Sequence, residues 1–410
     1  MGLLRTVALT VLGISFLTFV ALFGRLPALR RTPIGFIHRV IWVYIPNGLV
    51  RVDSFLLGGR ALYCWNRSGR YLMRENHPLV LIFFVAILSV SEIMFVPDAW
   101  PRLGTIHRLF VPVAITLPYM FLYAAVVSKS FVTPSNLQEE LKRYPFDRVL
   151  FHPGNECPTC HLLKPARSKH CSLCKACISR HDHHCVWLSN CVGRNNYHYF
   201  LALLLSLSVL LLYGVYLGYT LLDGTIQQVL SPTLASGTHW SKGQPWSTFF
   251  FFWTAAIADD IRIGSVFLLA IMTAPLALGF LSYHLYLVWA GVTTNETSKW
   301  DDWKEDIADG LVFKAKRSEI YPEPRPRDES IEPKSAWPGT SDQVLILTDG
   351  QPPRVGFMIS TRSNSIIQSE DQNAVVDPRW VRVKSLKDVD NIYDLGFWRN
   401  LRDALNLPVR

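Results

Sequence analysis

A dense cluster of cysteines and histidines between Cys157 and Cys191 holds the residues best suited to chemistry. It contains seven of the eight cysteines of the chain and five histidines. Thiolates and imidazoles with Cys-x2-Cys pairs among them are the usual ligands of tetrahedral zinc. Nine side chains are plausible ligands: Cys157, Cys160, His170, Cys171, Cys174, Cys177, His184, Cys185 and Cys191. Two four-coordinate sites use eight ligands, so one cysteine is left over as a candidate nucleophile.

The count alone does not identify the spare cysteine, but the neighbouring residues favour Cys185. Asp182 and His183 stand just before it in the tetrapeptide that Cys185 completes. A histidine can take the proton of a thiol, and a carboxylate can orient that histidine, as in a Cys-His-Asp arrangement. The sequence therefore favours covalent chemistry at Cys185, with His183 as the base and Asp182 as the residue that orients it.

From Cys157 to Phe200 the sequence resembles the cysteine-rich domain of the DHHC protein S-acyltransferases. The residues that carry the resemblance are the two Cys-x2-Cys pairs, Lys164-Pro165-x-Arg167, His170-Cys171, Cys177, the tetrapeptide Asp182-His183-His184-Cys185, Cys191, Asn196 and Phe200. The resemblance implies two interleaved zinc sites. One would use Cys157, Cys160, His170 and Cys177, and the other Cys171, Cys174, His184 and Cys191. Cys185 is then free to carry an acyl group.

Two other kinds of protein use similar cysteine patterns. One is a purely structural double zinc module in which Cys185 is inert, and the intact Asp-His-His-Cys tetrapeptide weighs against it. The other is a membrane-bound RING-type ubiquitin ligase. That class needs a longer first interval between cysteines and has no cysteine next to a histidine in this way, so the spacing excludes it.

Hydrophobic segments on both sides of the cluster indicate a membrane protein. Half of the residues are hydrophobic, and a span needs about 20 apolar residues. Candidate spans are approximately 6–24, 78–97, 107–128, 199–222 and 264–290. The apolar segment 249–257 ends at charged residues and is predicted to be interfacial or re-entrant. The expected fold is an all-α polytopic membrane protein with about five transmembrane helices and a small cytosolic zinc-binding cysteine-rich domain.

The charges of the loops predict the orientation of the chain. The segment after the first predicted span carries nine arginines between Arg25 and Arg74, against Asp53 and Glu75 as the acidic residues. By the positive-inside rule this loop is cytosolic and the N-terminus lumenal. The cysteine-rich block, and everything after about residue 291, would then be cytosolic. A reducing cytosol also suits zinc thiolates better than disulfides.

The segments after the last span show two further resemblances to the family. Thr293-Thr294-Asn295-Glu296 resembles the TTxE motif, whose hydroxyls and carboxylate could tie a helix end to a polar domain. Near the end, 391–400 resembles the C-terminal motif that docks the tail onto the membrane core, with Phe397 and Trp398 suited to the lipid interface. The alternative for this end is an amphipathic helix of no special role.

These features divide the chain into six predicted parts. They are three N-terminal helices with a basic cytosolic loop (1–128), the cytosolic cysteine-rich zinc domain (129–198), two helices with a lumenal loop (199–290), the TTxE segment (291–317), a flexible linker rich in Pro, Ser, Asp and Glu (318–375), and the docking motif (376–410).

The resemblance implies transfer of a palmitoyl group from palmitoyl-CoA, through an acyl-enzyme on Cys185, to cysteines of membrane proteins. The expected cofactors are two structural zinc ions. Among the basic residues of the block, Lys169 and Arg194 could contact the phosphates of CoA, and attraction to anionic lipid headgroups explains them equally well. Nucleic acid is not an expected partner, because membrane topology accounts for the net charge of +9.

The five-span arrangement and the tail motif resemble the fungal branch of the family that resides in the endoplasmic reticulum membrane. That branch acylates cysteines beside the transmembrane segments of SNARE-type proteins. The alternative function is a non-catalytic membrane adaptor with a structural zinc domain, which would have no use for the Asp182–His183 pair.

Overall fold

In the computed structural model, the described residues are 20, 32–230, 246–321, 328–355, 358–359, 366–367 and 375–409. They fall into two compact units, residues 1–75 and 76–410. The predicted span 6–24 lies outside the described residues, apart from Val20.

The N-terminal unit is helical and contains a span that the sequence analysis missed. Its elements are α1 (Pro33–Arg39), a π-helical turn (Val40–Tyr44), α2 (Ile45–Leu57) and α3 (Arg60–Arg74). The continuous stretch Pro33–Leu57 is long and apolar enough to cross a membrane, although we predicted a basic cytosolic loop here. The two assignments differ because most of the counted arginines lie on either side of this stretch. The orientation derived from that loop therefore stays a prediction.

Two consecutive glycines separate α2 from α3. Gly58 and Gly59 have φ values of +59° and +81°, a left-handed conformation that glycine adopts without steric cost. Asp53 accepts hydrogen bonds from the first backbone N–H groups of α3, at Ala61 (3.1 Å) and Leu62 (2.8 Å). The turn is thus fixed by residues on both of its sides.

The second unit contains four candidate spans close to the predicted ones. They are formed by α4 (Leu79–Ala99) with the 3₁₀ turn Trp100–Arg102, α5 (Thr105–Val127), α7 (Tyr197–Leu230) and α9 (Ile261–Trp289). With Pro33–Leu57, the described residues contain five candidate spans, four of which correspond to predicted ones. The short apolar helix α8 (Trp246–Asp259) covers the segment predicted to be interfacial.

α7 is the central helix of this bundle and packs against both α5 and α9. The close approach to α9 depends on Gly218, where an added Cβ would lie 2.7 Å from the ring of Phe267. Leu217, Leu222 and Ile263 belong to the same buried apolar cluster. Lipid tails are as apolar as these side chains, so close van der Waals contact between the helices, which a small residue such as Gly218 permits, favours the packed bundle.

The cysteine-rich domain lies between α5 and α7 in the sequence. It begins with the short helix α6 (Leu137–Arg143) and continues as two antiparallel hairpins, β1 (Lys169–Cys171) with β2 (Ala176–Ile178) and β3 (His183–Cys185) with β4 (Asn190–Val192).

After the last span the chain forms a small mixed region and not a single flexible linker. Its elements are α10 (Thr294–Ala308), β5 (Val312–Lys316), α11 (Arg317–Ile320), β6 (Gln343–Leu347), β7 (Met358–Ile359), β8 (Ile366–Ile367), β9 (Val381–Arg382), a 3₁₀ turn (Leu386–Asp388) and α12 (Phe397–Ala404).

β6 corrects the prediction that residues 318–375 are unstructured throughout. It pairs along its whole length with β5, which pairs with β9 on its other edge. Leu345 and Ile346 are fully buried in this sheet. The run of apolar residues at 344–347 is short and surrounded by Pro and Ser, so its burial depends on partners that are distant in the sequence.

Candidate active site and metal sites

The structure brings the predicted metal ligands together in two separate clusters. Cys157, Cys160, His170 and Cys177 form one, and Cys171, Cys174, His184 and Cys191 form the other. In the first cluster, Nδ1 of His170 lies 3.5, 3.3 and 3.9 Å from the sulfurs of Cys157, Cys160 and Cys177.

The second cluster has the same dimensions. Nδ1 of His184 lies 3.7, 3.4 and 3.5 Å from the sulfurs of Cys171, Cys174 and Cys191. Around a tetrahedral zinc, bonds of about 2.3 Å to sulfur and about 2.0–2.1 Å to nitrogen place these ligand atoms about 3.6 Å apart. Both clusters therefore have the size and the donor set of a closed tetrahedral zinc site.

Strand geometry explains why neighbouring residues serve different sites. Successive side chains of a strand point to opposite faces, so His170 and Cys171 on β1 enter different clusters. The hairpin register places His170 opposite Cys177 and His184 opposite Cys191. Each hairpin thus supplies a histidine and a cysteine from facing positions to one cluster.

The same alternation separates the predicted ligand His184 from Cys185 on β3. His184 faces the second metal cluster, so His183 and Cys185 share the opposite face. Nδ1 of His183 lies 2.7 Å from Oδ2 of Asp182, and Cys185 is close enough to influence the charge of the His183 ring. Nδ1 faces the carboxylate, which leaves Nε2 of the ring for the thiol. The predicted Asp182, His183 and Cys185 therefore come together as a connected set.

Burial and hydrogen bonding set the charge of this group. Burial opposes ionisation of Asp182, but the hydrogen bond with His183 outweighs it and lowers the pKa of the carboxyl to about 2. Burial likewise lowers the pKa of His183, yet its bonds with Asp182 and Cys185 raise that pKa to about 9. An ionised Asp182 therefore stabilises the protonated imidazole that a general base becomes.

The TTxE residues join the end of the last span to this group. The backbone N–H of Thr294 donates to Oδ1 of Asp182 (3.0 Å), and its hydroxyl donates to Oδ2 (2.8 Å). Thr293 and Glu296 form a capping box at the start of α10. The motif thus has the tying role expected from its residue types.

Glu296 also forms a buried ion pair with Arg167. Nε and Nη2 of Arg167 donate to the two carboxylate oxygens at 2.7 and 2.6 Å, and both side chains are 1% exposed. Arg167 further donates to the carbonyl of Gly291. This bidentate pair fixes the cysteine-rich domain to the chain immediately after the last span.

Asp403 on α12 completes a second buried cluster, which the sequence did not predict. Its carboxylate lies 2.9 Å from Arg180 and 3.7 Å from Arg167, and it accepts a hydrogen bond of 2.6 Å from Tyr144. Burial opposes its ionisation, but the arginines lower the pKa of this carboxyl. Arg194 donates to the hydroxyl of Tyr144 (3.0 Å). No local pattern around Asp403 signals these partners.

The C-terminal segment bonds to the end of the last span, and docking onto the membrane core stays a prediction. Nδ2 of Asn400 donates to the carbonyl of Trp289, the last residue of α9, at 3.2 Å. Asn391 makes a similar bond to Ala290 (3.4 Å). Trp398 is 75% exposed, as suits a side chain that meets lipid.

The two residues predicted to contact CoA lie in different surroundings. Arg194 is directed into the buried cluster with Tyr144 and Asp403. Lys169 is exposed and lines a cavity of about 290 Å³ together with Lys164 and Lys299. Glu156 and apolar side chains such as Phe151 also line this cavity, and the three amines make it a suitable place for a phosphate. The assignment of either residue to CoA stays a prediction.

Cys185 also faces the apolar side chains at one end of the bundle. It belongs to a buried cluster with Leu188, Phe200, Leu201 and Val288. A smaller apolar cavity of about 90 Å³ lies farther along the spans, between α4, α5, α7 and α9. The thiol of Cys185 is thus placed where a polar domain meets the hydrophobic helices.

Comparison with known proteins gives the family. A family model described as DHHC palmitoyltransferase matches residues 150–301. The chain is 56% identical over 405 residues to palmitoyltransferase swf1 of Emericella nidulans, covering 98% of this chain and 96% of that protein. The chain belongs to the DHHC palmitoyltransferase family. More distant relatives are palmitoyltransferase SWF1 of Neurospora crassa, 43% identical over 413 residues (98% and 92% covered), and palmitoyltransferase swf1 of Schizosaccharomyces pombe, 31% identical over 393 residues (94% and 92% covered).

Membership in the DHHC palmitoyltransferases confirms the predicted class of enzyme, a protein S-palmitoyltransferase. The matched residues include both metal clusters, the tetrapeptide that ends at Cys185, and the TTxE residues up to Glu296. The predicted fold class, a polytopic helical protein with a cysteine-rich domain, is confirmed as well.

Proposed function

We propose that this palmitoyltransferase forms a covalent acyl-enzyme on Cys185, with His183 as general base and Asp182 as the residue that orients it. The observation that carries the proposal is the position of Cys185. Of the seven cysteines in the domain, it alone belongs to neither metal cluster, and it shares a face of β3 with a histidine that is bonded to a buried carboxylate.

Transfer then needs two balanced exchanges of thioester. In the first, the neutral form of His183 takes the proton of the Cys185 thiol, and the thiolate attacks the carbonyl carbon of palmitoyl-CoA. The carbon–sulfur bond to CoA breaks, and His183 returns its proton to the departing CoA thiolate. In the second, the thiol of a substrate cysteine gives its proton to His183 and attacks the acyl group on Cys185. The Cys185 thiolate leaves and takes that proton back.

The two metal clusters have a structural role and take no direct part in the transfer of the acyl group. Their eight residues would hold zinc in closed four-ligand sites, which stabilise the fold of the loops and leave no open position for a substrate. Because His183, His184 and Cys185 are consecutive residues of β3, a zinc ion bound by His184 would also fix the positions of His183 and Cys185.

The acyl donor would place its chain among the helices and its phosphates on the basic surface. The apolar cluster around Cys185 suits a fatty chain, and the cavity with Lys164, Lys169 and Lys299 suits phosphate groups. Arg194 would contribute to the positive potential from its partly buried position. Anionic lipid headgroups remain the alternative ligand for these amines.

We propose that the substrates are membrane proteins with cysteines beside a transmembrane segment, SNARE-type proteins among them. A reactive thiol at the junction of the bundle and the polar domain supports this class, because a substrate helix beside the spans would present its cysteine at that level. We further propose a multi-pass protein of the endoplasmic reticulum membrane whose active site faces the cytosol. The thiol-rich metal clusters support the cytosolic side.

Autoacylation tests the proposal directly. Wild type and Cys185→Ser are purified in detergent and exposed to alkyne-tagged palmitoyl-CoA, and the label that hydroxylamine removes is measured together with zinc content. We expect label on the wild type alone and two zinc ions on both proteins. His183→Ala should retain both zinc ions and acylate about 10²–10⁴-fold more slowly. An unlabelled wild type with full zinc content would support the adaptor function instead.

Charge reversal tests the assignment of the CoA contacts. Lys169→Glu should raise the KM for palmitoyl-CoA without lowering the zinc content, because it places a negative charge beside the proposed phosphates. An unchanged KM would assign Lys169 to lipid headgroups.

A further inference from the structure

His284 is a buried histidine of the last span that faces the active site. It lies on α9, five residues before the end of that helix, and its side chain is 1% exposed. The rings of Phe200 and Phe280 stand edge-on to it, with centroids 4.9 and 4.8 Å from its own. Such an apolar enclosure has no evident need for an imidazole, since a phenylalanine would fill it as well.

The two nitrogens of His284 have different surroundings. Nδ1 lies 3.2 Å from the hydroxyl of Tyr197. Nε2 is buried and has no hydrogen-bond partner among the residues that the structure describes. Buried polar atoms are paired in the great majority of cases, so an exception calls for an explanation.

The polar groups of Asp182 and His183 lie close to the His284 ring. One ring nitrogen of His284, a carboxylate oxygen of Asp182 and a ring nitrogen of His183 all lie within 4.8 Å of one another. The ring centroids of His183 and His284 are 5.8 Å apart. A separation of this size is closed by one bridging water or by a small movement of the side chains.

Asp182 is therefore approached from two sides by residues of one continuous segment. Thr294, just after α9, already binds both of its carboxylate oxygens. His284 reaches the same pair from within α9. Because Asp182 and His183 belong to the cysteine-rich domain, the bonds of Thr294 tie the pair to the end of the last span, and His284 lies beside the pair within that span.

We propose that His284 is a positioning residue for acyl transfer, whose Nε2 holds the Asp182–His183 pair in register with Cys185. The inference rests on the acyl-enzyme mechanism proposed above and adds a residue to it from outside the cysteine-rich domain. His284 acts through His183 and does not touch the acyl group.

Three substitutions separate this role from packing. The amide of His284→Gln can take the place of Nε2, that of His284→Asn can take the place of Nδ1, and His284→Phe keeps only the ring. We expect His284→Asn and His284→Phe to lower the rate of autoacylation about 10–100-fold, with unchanged KM for palmitoyl-CoA and two zinc ions. His284→Gln should recover most of the rate.

Two further measurements strengthen the test. One does not depend on acyl transfer, and the other controls for the general effect of replacing a buried histidine by phenylalanine. The rate at which iodoacetamide alkylates Cys185 should fall in His284→Phe, because the base would be less well placed. His198 on α7 also has a buried ring nitrogen, Nδ1, with no partner among the described residues, and it is not grouped with Asp182. His198→Phe should acylate at the wild-type rate.

Each contrary result has a definite meaning. Full activity of His284→Phe would mean that His284 contributes only to packing. If His284→Asn recovered the rate as well as His284→Gln does, the effect would come from the hydrogen bond between Nδ1 and Tyr197. A third zinc ion in the wild type that is lost in His284→Phe would make the group a metal site. These three results overturn the inference alone, whereas an unlabelled wild type would overturn the acyl-enzyme mechanism itself. If His284→Phe fails to fold, the comparison of His284→Gln with His284→Asn decides.

Discussion

Replacing Glu296 by Gln removes one charge from the buried ion pair that joins the cysteine-rich domain to the last span. Arg167 and Glu296 are each 1% exposed and meet through two hydrogen bonds of 2.7 and 2.6 Å. The amide of Gln has nearly the same shape and can still accept a bond from the backbone of Thr293. The substitution therefore changes the charge and leaves the capping box largely in place.

The cost follows from what remains around Arg167. Breaking a buried ion pair by removing one partner typically costs about 3–5 kcal/mol. Asp403 is the nearest remaining carboxylate, at 3.7 Å, but it already pairs with Arg180 at 2.9 Å. The rings of Tyr144 and Tyr393 face the guanidinium and recover part of the loss. We therefore expect Glu296→Gln to lower the free energy of unfolding by about 3 kcal/mol.

Chemical unfolding of purified variants in one detergent measures this effect. The exposed pair of Lys316 and Glu319 provides a matched control, with side chains 70% and 44% exposed. Glu319→Gln should cost no more than about 1 kcal/mol. In the double variant Arg167→Met with Glu296→Leu neither charge remains, so it should be more stable than Glu296→Gln alone.

Two results would refute this reasoning. One is a Glu296→Gln protein that is as stable as Glu319→Gln, which would mean that water or Asp403 fully compensates the arginine. The other is a double variant less stable than the single one, which would mean that shape and not charge determines the stability of this contact.

Three further predictions concern the metal clusters and the tail. Cys177→Ser should lose one of two zinc ions and lower the midpoint of unfolding, as measured by metal analysis and melting, because folding and metal binding are coupled. Gly193→Ala should destabilise the domain by about 1–3 kcal/mol, since a Cβ would lie 2.8 Å from Ile178 and from the carbonyl of Ser179; wild-type melting would contradict this. Asn400→Ala removes bonds to Trp289 and to the backbone of Leu395, and should make the C-terminus more sensitive to protease by about tenfold or more. Equal rates of cleavage would show that the docking does not depend on Asn400.

Much of the site was predictable because its residues are close together in the sequence. The ligands of both metal clusters lie within the stretch from Cys157 to Cys191, where spacing and a known family pattern restrict the possible sets. Thr294 and Asp182 are in contact although they are 112 positions apart in the sequence. Each of them belongs to a recognisable motif, the TTxE motif and the Asp-His-His-Cys tetrapeptide. Long apolar segments likewise predicted four of the five candidate spans.

The parts that sequence reasoning missed depend on pairs without local signals. In the sequence, Asp403 is an ordinary acidic residue of a short predicted helix. Its contacts with Arg180 and Tyr144 are visible only in the folded structure. The residues of β6 form a strand because they pair with β5, a partner that the local sequence around β6 does not reveal. The span Pro33–Leu57 was hidden because we counted the arginines of the whole segment together, although only Arg39 and Arg51 lie within it.

The buried contact between Tyr144 and Asp403 also has a consequence for the synthesis of the protein. These residues are 259 positions apart, and Asp403 lies in the last helix of the chain. At about 5–20 residues per second, a ribosome needs roughly 13–50 s to travel that distance. During that time the arginines of the domain have been made while their carboxylate has not. The domain therefore reaches its fully paired state only after Asp403 has been synthesised, and a chain that lacks α12 would leave Tyr144 and Arg180 without this carboxylate.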